Sequence, residues 1–299
     1  MKILITGAGG FVGTRMVDYF AEEGHDVVGV DRNRPFVTTD PCQFTHIQAD
    51  TTREGEWQEA VGTSDVVINL AGKNIFGRWS EKTKQEILES RVQTTKNVVN
   101  ALSGENKSVL LSTSAVGFYG DRGEDLLDEN EDSGDDFLAR VCIEWEKEAN
   151  KAAEKGVRVA NMRFGLIMGK TGGALKMMLP AFKAFVGGPL GTGKQFMPWI
   201  HINDLIAAHD FVLSNGEVSG PVNCCAPNPV RNEVFAKTLG RVLGRPAVFR
   251  VPKIALGLAM GELGEMMLAS QRAMPEKLLA HGFAFSYPEL EQALSDLLV

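Results

Sequence analysis

The stretch Lys2-Ile3-Leu4-Ile5-Thr6-Gly7-Ala8-Gly9-Gly10-Phe11-Val12-Gly13 permits few architectures, because an apolar run breaks into a glycine turn and then into a helical pattern. Met16, Val17, Phe20 and Ala21 recur at helical spacing, and Gly24 follows as a stop signal. A strand, a phosphate turn and a helix are predicted. Gly7, Gly10 and Gly13 let the backbone turn sharply, approach a pyrophosphate and pack the helix against the sheet. The N–H groups that open the helix, at Phe11 and Val12, are offered to the phosphates. The spacing is Gly-x-x-Gly-x-x-Gly rather than the older Gly-x-Gly-x-x-Gly, and three glycines alone are a weak signal. The context strengthens them: a second strand over 26–30 ends in Asp31, close to the roughly 20-residue offset at which an acid meets the adenosine ribose. A bound dinucleotide is expected, against the alternative of a glycine turn that holds nothing.

Cofactor choice is left open by the residues themselves. Asp31 beside a 2′-phosphate is repulsive and favours NAD, whereas the basic turn Arg32-Asn33-Arg34-Pro35 favours NADP. A third strand over 44–48 runs into Asp50, which either reaches the adenine edge or forms a turn or N-cap before the helix near 54–61. The fourth strand, 65–70, is nearly continuous apolar, as for a parallel strand buried on both faces. After Leu70 it breaks at Ala71-Gly72, whose small residues leave room for the cofactor. Ser80 is a plausible N-cap for a helix running to about Leu102, and the fifth strand leads into the hydroxyl-rich run Ser112-Thr113-Ser114-Ala115-Val116-Gly117-Phe118-Tyr119-Gly120. Doubly wound sheets place their chemistry at such strand ends.

Composition narrows the class. With 299 residues, 44% hydrophobic and 23% charged, the chain can bury a full core, and disorder is excluded. A formal net charge of -7 argues against a nucleic-acid partner, which would want a basic stripe, and the acids concentrate between Glu124 and Asp136 in a solvated loop. Cys42, Cys142, Cys224 and Cys225 show neither C-x-x-C spacing nor paired histidines. No metal site and no disulfide framework are therefore expected, and a reducing cytosol fits. The N-terminus enters a strand without a signal-like segment, so a cytoplasmic protein is expected. Val251 to Ser270 is apolar but interrupted by Lys253, Glu262 and Glu265, which makes it an amphipathic or core helix rather than a span; no membrane partner is expected.

Taken together, Thr6-Gly7-x-x-Gly10-Phe11-Val12-Gly13, Leu70-Ala71-Gly72 and Ser112 to Gly120 resemble the extended short-chain dehydrogenase/reductase superfamily. Its members include NAD-dependent sugar-nucleotide epimerases and dehydratases. Asn69 to Ile75 with Arg78-Trp79, Ser90-Arg91, Ser114 to Asp121, Cys142 with Trp145-Glu146, and Trp199 to Asp204 are similar to its atypical, YfcH-like subgroup. Gln271 to Leu278 and Gly282 to Phe285 resemble that subgroup's appended C-terminal domain of unknown function. The resemblance implies an α/β fold, a Rossmann-type doubly wound parallel sheet with a smaller C-terminal α/β substrate lobe. The dinucleotide domain is expected over 1–165 and an interleaved substrate lobe over 166–299, with the appended domain at about 250–297. Glycine-rich loops around 172–173 and 187–191 suit a lid.

In the parent superfamily a Ser polarises the substrate carbonyl, a Tyr moves the proton, and a Lys four residues later lowers the Tyr pKa and holds the nicotinamide ribose. Carried over, Ser114 matches the serine, while aligning the helix on Glu146 puts Leu138 at the tyrosine and Cys142 at the lysine. Leucine has no proton, and a thiol with a reference pKa of about 8.5 supplies no permanent cation. The subgroup shares the Cys, and Arg91 stands where extended members tend to carry an Asn. Ser114 and Tyr119 are thus the catalytic candidates, and Arg91, Arg78 and His201 are candidates for fixing an anionic substrate or acting as an acid. Each has a plain structural alternative: Tyr119 packed on the cofactor, the arginines tying the long helix to its neighbour, His201 as a hydrogen-bonded core histidine. Cys142 is expected to be a small packed residue rather than a nucleophile.

The resemblance implies an NAD(P)(H)-binding oxidoreductase or epimerase acting on a small molecule, with a nucleotide sugar as one candidate. Many relatives take NADP, so the expectation leans to NADP over NAD despite Asp31. A cofactor-binding regulator without turnover is the rival, because some plastid and cyanobacterial relatives are described as acting in cell division. An RNA-binding role is disfavoured by the acidic balance. Neither the substrate nor the oligomeric state follows from the sequence.

Overall fold

The computed structural model describes residues 1–33, 43–103 and 108–299; Arg34, Pro35 and Cys42, named above, lie outside them. The first half contains β1 (Lys2–Thr6), α1 (Phe11–Glu22), β2 (Asp26–Asp31), β3 (Phe44–Gln48), α2 (Trp57–Gly62), β4 (Val66–Asn69), α3 (Glu81–Ala101), β5 (Val109–Ala115), a 3-10 turn (Val116–Tyr119), β6 (Leu126–Leu127), α4 (Phe137–Asn150) and β7 (Arg158–Phe164). Then follow β8 (Leu166–Met168), α5 (Gly173–Lys183), β9 (Phe196–Met197), β10 (Trp199–His201), α6 (Ile202–Ser214), β11 (Gly220–Cys224), β12 (Val230–Arg231), α7 (Asn232–Leu243), α8 (Lys253–Met260), α9 (Glu262–Met266), β13 (Arg272–Ala273), α10 (Glu276–Ala280) and α11 (Leu290–Leu298).

Seven strands form one parallel sheet in the order β11-β7-β5-β4-β1-β2-β3. The strand order reverses between β1 and β4, which is where doubly wound sheets open a crevice for ligands. Alternation along β1 feeds the two faces. Ile3 and Ile5 pack with Met16, Val17 and Phe20 of α1 and Leu205 and Ile206 of α6, whereas Leu4 packs with Trp57 and Val61 of α2 and Val98 and Val99 of α3. Each such buried aliphatic side chain contributes about 1.5–3 kcal/mol. Ser80 caps α3 by accepting from the Thr83 N–H at 3.2 Å, and Asp136 caps α4 by accepting from Ala139 at 2.9 Å.

Beyond residue 165 the chain gives two elements back to the sheet layer. β11 extends the sheet edge beside β7, and α6 packs beside α1, with Leu205 and Ile206 in the same core cluster as Ile3 and Ile5. The rest packs around its own cluster, with Leu175, Phe182, Trp199, Phe235, Leu239, Leu294 and Leu297 buried together. Asp204 fastens the C-terminal segment to α6 by accepting from the backbone N–H groups of Ser286 and Tyr287 at 2.8 and 2.9 Å.

The helix expected over 251–270 is corrected. It is two short helices, α8 and α9, broken at Gly261, whose φ of 63° only glycine adopts without strain. Leu256 alone of α8 is buried, so most of its apolar residues are not core. No helix among the described residues is long and apolar enough to cross a membrane.

Candidate functional site

The glycine turn sits at the carboxyl edge of the sheet, at the reversal point. Gly7 has φ 70°, and a Cβ there would lie 3.0 Å from the backbone of Ala71, so β1 and the end of β4 meet backbone to backbone. A Cβ on Gly13 would collide with the Gly7 carbonyl oxygen, which is how α1 packs so closely on the turn. Gly10 is different: its Cβ would meet only the Gly7 oxygen, at 3.2 Å. Gly10 is the N-cap of α1 and offers no side-chain cap, so the first N–H groups, at Phe11, Val12 and Gly13, keep their capacity to donate to an anion. The Phe11 ring lies against Gly169, Gly172 and Gly173, which ties the turn to the loop before α5.

Asp31 is brought to this turn, but its carboxylate is already engaged. One oxygen accepts from the Gly9 N–H at 3.1 Å and the other from the Asn33 N–H at 3.0 Å. Arg32 lies next to it, exposed. Asp50 accepts from the Thr52 hydroxyl at 2.7 Å and the Thr52 N–H at 3.1 Å, and the Thr52 hydroxyl above all holds its carboxyl below the usual range. That is the turn-forming alternative; its second oxygen has no such bond.

Leu70 and Ala71 are fixed by Thr6, whose hydroxyl accepts from their N–H groups at 3.2 and 3.3 Å and itself donates to Asn69 Oδ1 at 2.7 Å. Asn69 donates on to Thr95 at 2.9 Å, as does the Trp145 indole at 2.9 Å. A buried polar chain thus locks β1, β4, α3 and α4 beneath the crevice. Ser112 sits beside Asn69 in register, and the buried hydroxyls of Ser112 and Thr113 find no partner among the described residues. Such orphaned hydroxyls are uncommon in a finished core.

Three α4 residues one turn apart meet the end of β5 in sequence. Leu138 Cβ lies 3.5 Å from where a Gly117 Cβ would stand, the Cys142 thiol donates to Ala115 O at 3.7 Å, and Glu146 accepts from the Ser114 hydroxyl at 2.6 Å. So Cys142 faces the end of β5 and Leu138 faces the 3-10 turn that follows it. Burial pushes the Cys142 thiol up to about 11, which makes it a packed thiol and not a nucleophile at neutral pH.

The two catalytic candidates are absorbed by structure. Ser114 is 1% exposed and its hydroxyl is spent on Glu146. Tyr119 is 0% exposed; its hydroxyl lies 2.8 Å from Asn223 Oδ1 and 2.9 Å from Asp128 O, and accepts from Arg163 Nη1 at 2.9 Å. Burial raises the Tyr119 hydroxyl well above its ordinary value, against the pull of Arg163. The Tyr119 phenol is thus engaged inside the fold by three neighbours, whereas the sequence offers it as facing the nicotinamide. Sequence reasoning missed the partners, Arg163 and Asn223. The available signal was a charge and an amide inside apolar strand runs, because buried polar groups require partners.

Arg91 lies against Gly72, whose Cβ would stand 3.2 Å from the guanidinium carbon, and it stacks over Trp145 at 5.1 Å. Nη1 donates to the carbonyls of Lys73 and Ile87 at 2.9 and 3.0 Å. Burial pulls Arg91 down to about 10, so it stays cationic at neutral pH beside the crevice. Arg78 is exposed near Gly261. His201 is remote in role: Nδ1 accepts from the Asn203 N–H at 3.1 Å as the cap of α6, and the ring stacks on Tyr287 at 3.8 Å.

A parallel sheet with this strand order and an uncapped helix behind a glycine turn at its reversal point define a dinucleotide-binding protein of the Rossmann class. The comparisons refine this. Residues 3–225 match the NAD dependent epimerase/dehydratase family, and residues 251–297 match a domain of unknown function, DUF1731. The chain belongs to the NAD dependent epimerase/dehydratase family. It is 39% identical over 301 residues to the epimerase family protein YfhF of Bacillus subtilis, covering 100% of this chain and 98% of that one. It is 40% identical over 303 residues to the chloroplastic SDR39U1 homolog of Arabidopsis thaliana, covering 98% and 86%. The human epimerase family protein SDR39U1, solved with NADPH, superposes with a TM-score of 0.86 at 31% identity over 99% of both chains. MoeE5, solved with UDP-glucuronic acid and NAD, shares the fold at a TM-score of 0.80 and 18% identity, with 99% of this chain and 97% of that one covered. Solved neighbours thus bind NADPH or NAD.

Proposed function

We propose that this chain is an NADPH-preferring oxidoreductase or epimerase acting on a small polar molecule, without a Tyr-Lys proton path. The observation that carries it is the glycine turn with its open helix start, into which a pyrophosphate fits at Gly10, Phe11, Val12 and Gly13. Leu70, Ala71 and Gly72 supply the wall, whereas the Ser112 hydroxyl, expected to touch the cofactor, is fully buried. A bound nicotinamide supplies hydride transfer. For this chain's own part, the carboxylate of Asp31 steadies the turn through Gly9 and Asn33 rather than waiting for ribose hydroxyls, and Arg32 beside it favours a 2′-phosphate. Arg91 is the cation at the crevice that orients an anionic group, since Cys142 has none. The nucleotide sugars bound by neighbours such as MoeE5 make that the first substrate class to assay.

A regulator without turnover is the second reading, favoured by one observation: the Ser114 and Tyr119 hydroxyls are both consumed by buried bonds. Mass spectrometry of the purified protein for a retained dinucleotide, with titrations of NADPH and NADH, tests the first reading. NADPH is expected to bind more tightly, and a clear NADH preference overturns the choice. Asp31→Ser is expected to weaken both cofactors by loosening Gly9. If it instead selectively improves NADPH, Asp31 acts by charge repulsion and not as a tether.

A further inference from the structure

One face of the C-terminal lobe is built unlike the rest of this acidic chain. Between residues 155 and 203, and again between 234 and 261, there is no Asp or Glu, in a protein whose formal net charge is -7. The fold lays parts of these segments side by side. The Val251 N–H donates to Pro189 O at 2.9 Å, the Gly191 N–H donates to Val251 O at 2.8 Å, and Arg245 stacks over the Phe185 ring at 4.5 Å. The loop after α5 therefore runs along the segment that leads into α8.

The apolar side chains of this face point outward. Phe185 and Val186 are 50% and 53% exposed, Val248 and Phe249 73% and 54%, and Ile254 and Leu258, one turn apart on α8, 77% and 74%. Single exposed aliphatics need no explanation, but a cluster of this kind marks an interaction site. The segments that carry it also carry Lys176, Lys183, Arg245, Arg250 and Lys253, all exposed and none paired with a carboxylate among the described residues; Arg250 Nη1 donates to the Gly191 carbonyl at 3.1 Å. Backbone strain adds a second, independent sign. Phe185 closes α5 with φ 64°, the one non-glycine residue in the left-handed region among the described residues, at a position where helices commonly place glycine. That turn holds a bulky, half-exposed ring at the patch at a conformational cost, with Arg245 over its face.

We propose that this face docks the protein onto an anionic lipid surface. The apolar tips enter the headgroup boundary, and the lysines and arginines lay their stems along it and place their charges at the phosphates. A second copy of the chain is the poorer occupant, because a two-fold contact would press two sets of unpaired cations together. The proposal concerns peripheral docking, which the absence of a spanning helix among the described residues does not address, and it is independent of the cofactor reading.

Co-sedimentation with phosphatidylglycerol-rich vesicles and with pure phosphatidylcholine vesicles tests it. Binding is expected to the anionic vesicles only, and to weaken as salt rises from about 0.05 to about 0.5 M. The double variant Ile254→Ser/Leu258→Ser is expected to bind at least about tenfold more weakly with circular dichroism and thermal unfolding unchanged. Should that variant misfold, Lys176→Glu, Lys183→Glu and Lys253→Glu are each expected to cost about fivefold. No sedimentation with anionic vesicles, equal binding to both vesicle types, or folded variants that bind like the parent would overturn the proposal. So would sedimentation velocity showing lipid-free self-association that the same variants abolish, which would assign the face to a second copy.

Discussion

Glu146 and Arg163 form a two-point ion pair at the end of the sheet, with Nε to Oε1 at 2.8 Å and Nη2 to Oε2 at 2.9 Å, and both side chains are under 10% exposed. Burial alone would pull the Arg163 guanidinium down, and the Glu146 carboxylate more than offsets it. Removing one member leaves the other charge buried without a partner. Glu146→Gln is therefore expected to lower stability by about 3–5 kcal/mol in urea unfolding. Lys147→Gln, which cuts the exposed pair with Glu144 at 3.9 Å, is expected to leave it unchanged.

Tyr119→Phe removes a hydroxyl shared by Arg163, Asn223 and Asp128 O, so the loss should appear in stability. We expect about 1–3 kcal/mol, with NADPH affinity within twofold of the parent by calorimetric titration. Intact stability with a collapse of turnover would restore Tyr119 as a proton carrier.

The glycine turn separates two effects that a single alanine scan would blur. Gly10→Leu projects a side chain to where only one neighbour stands, so it is expected to abolish dinucleotide binding while circular dichroism remains native. Gly13→Ala drives a methyl into the Gly7 carbonyl and is expected to cost about 2–3 kcal/mol of folding stability.

His209 carries a pH dependence. It is 0% exposed, its Nδ1 lies 2.8 Å from Leu205 O, and burial pulls it from 6.5 down to about 4. The unfolded chain binds the proton first, so the stabilisation is complete above pH 6.5 and is lost as the pH falls from there towards 4. The loss from this residue approaches about 3 kcal/mol, and His209→Leu is expected to flatten that limb in unfolding measured between pH 7.5 and 4.5.

The thiols of Cys142, Cys224 and Cys225 are all buried and all raised by burial. Peptide-level mass spectrometry after iodoacetamide treatment of the native protein at pH 8 is expected to find all three unmodified, and modified only once denaturant is added.

What the sequence determined by itself is what neighbours a few residues apart decide. Gly7 at φ 70°, the Ser80 cap and the apolar spacing of α1 follow from local geometry, and with them the strand, turn and helix that make a dinucleotide site. That Leu138 and Cys142 share one face of α4 was also legible from helical spacing, whereas their standing in place of a Tyr and a Lys is what the family resemblance implies. Only the tertiary structure decided where Asp31, Ser114 and Tyr119 spend their hydrogen bonds. Asp31 meets Gly9 from 22 residues away, Ser114 meets Glu146 from 32, and Tyr119 meets Asn223 from 104. Whether such a group faces a ligand or a buried partner is settled by which strands lie side by side, within a hydrogen bond's reach of about 3 Å. The outward turn of Ile254 and Leu258 was hidden for the same reason: an apolar stretch looks like core until the structure leaves that face uncovered.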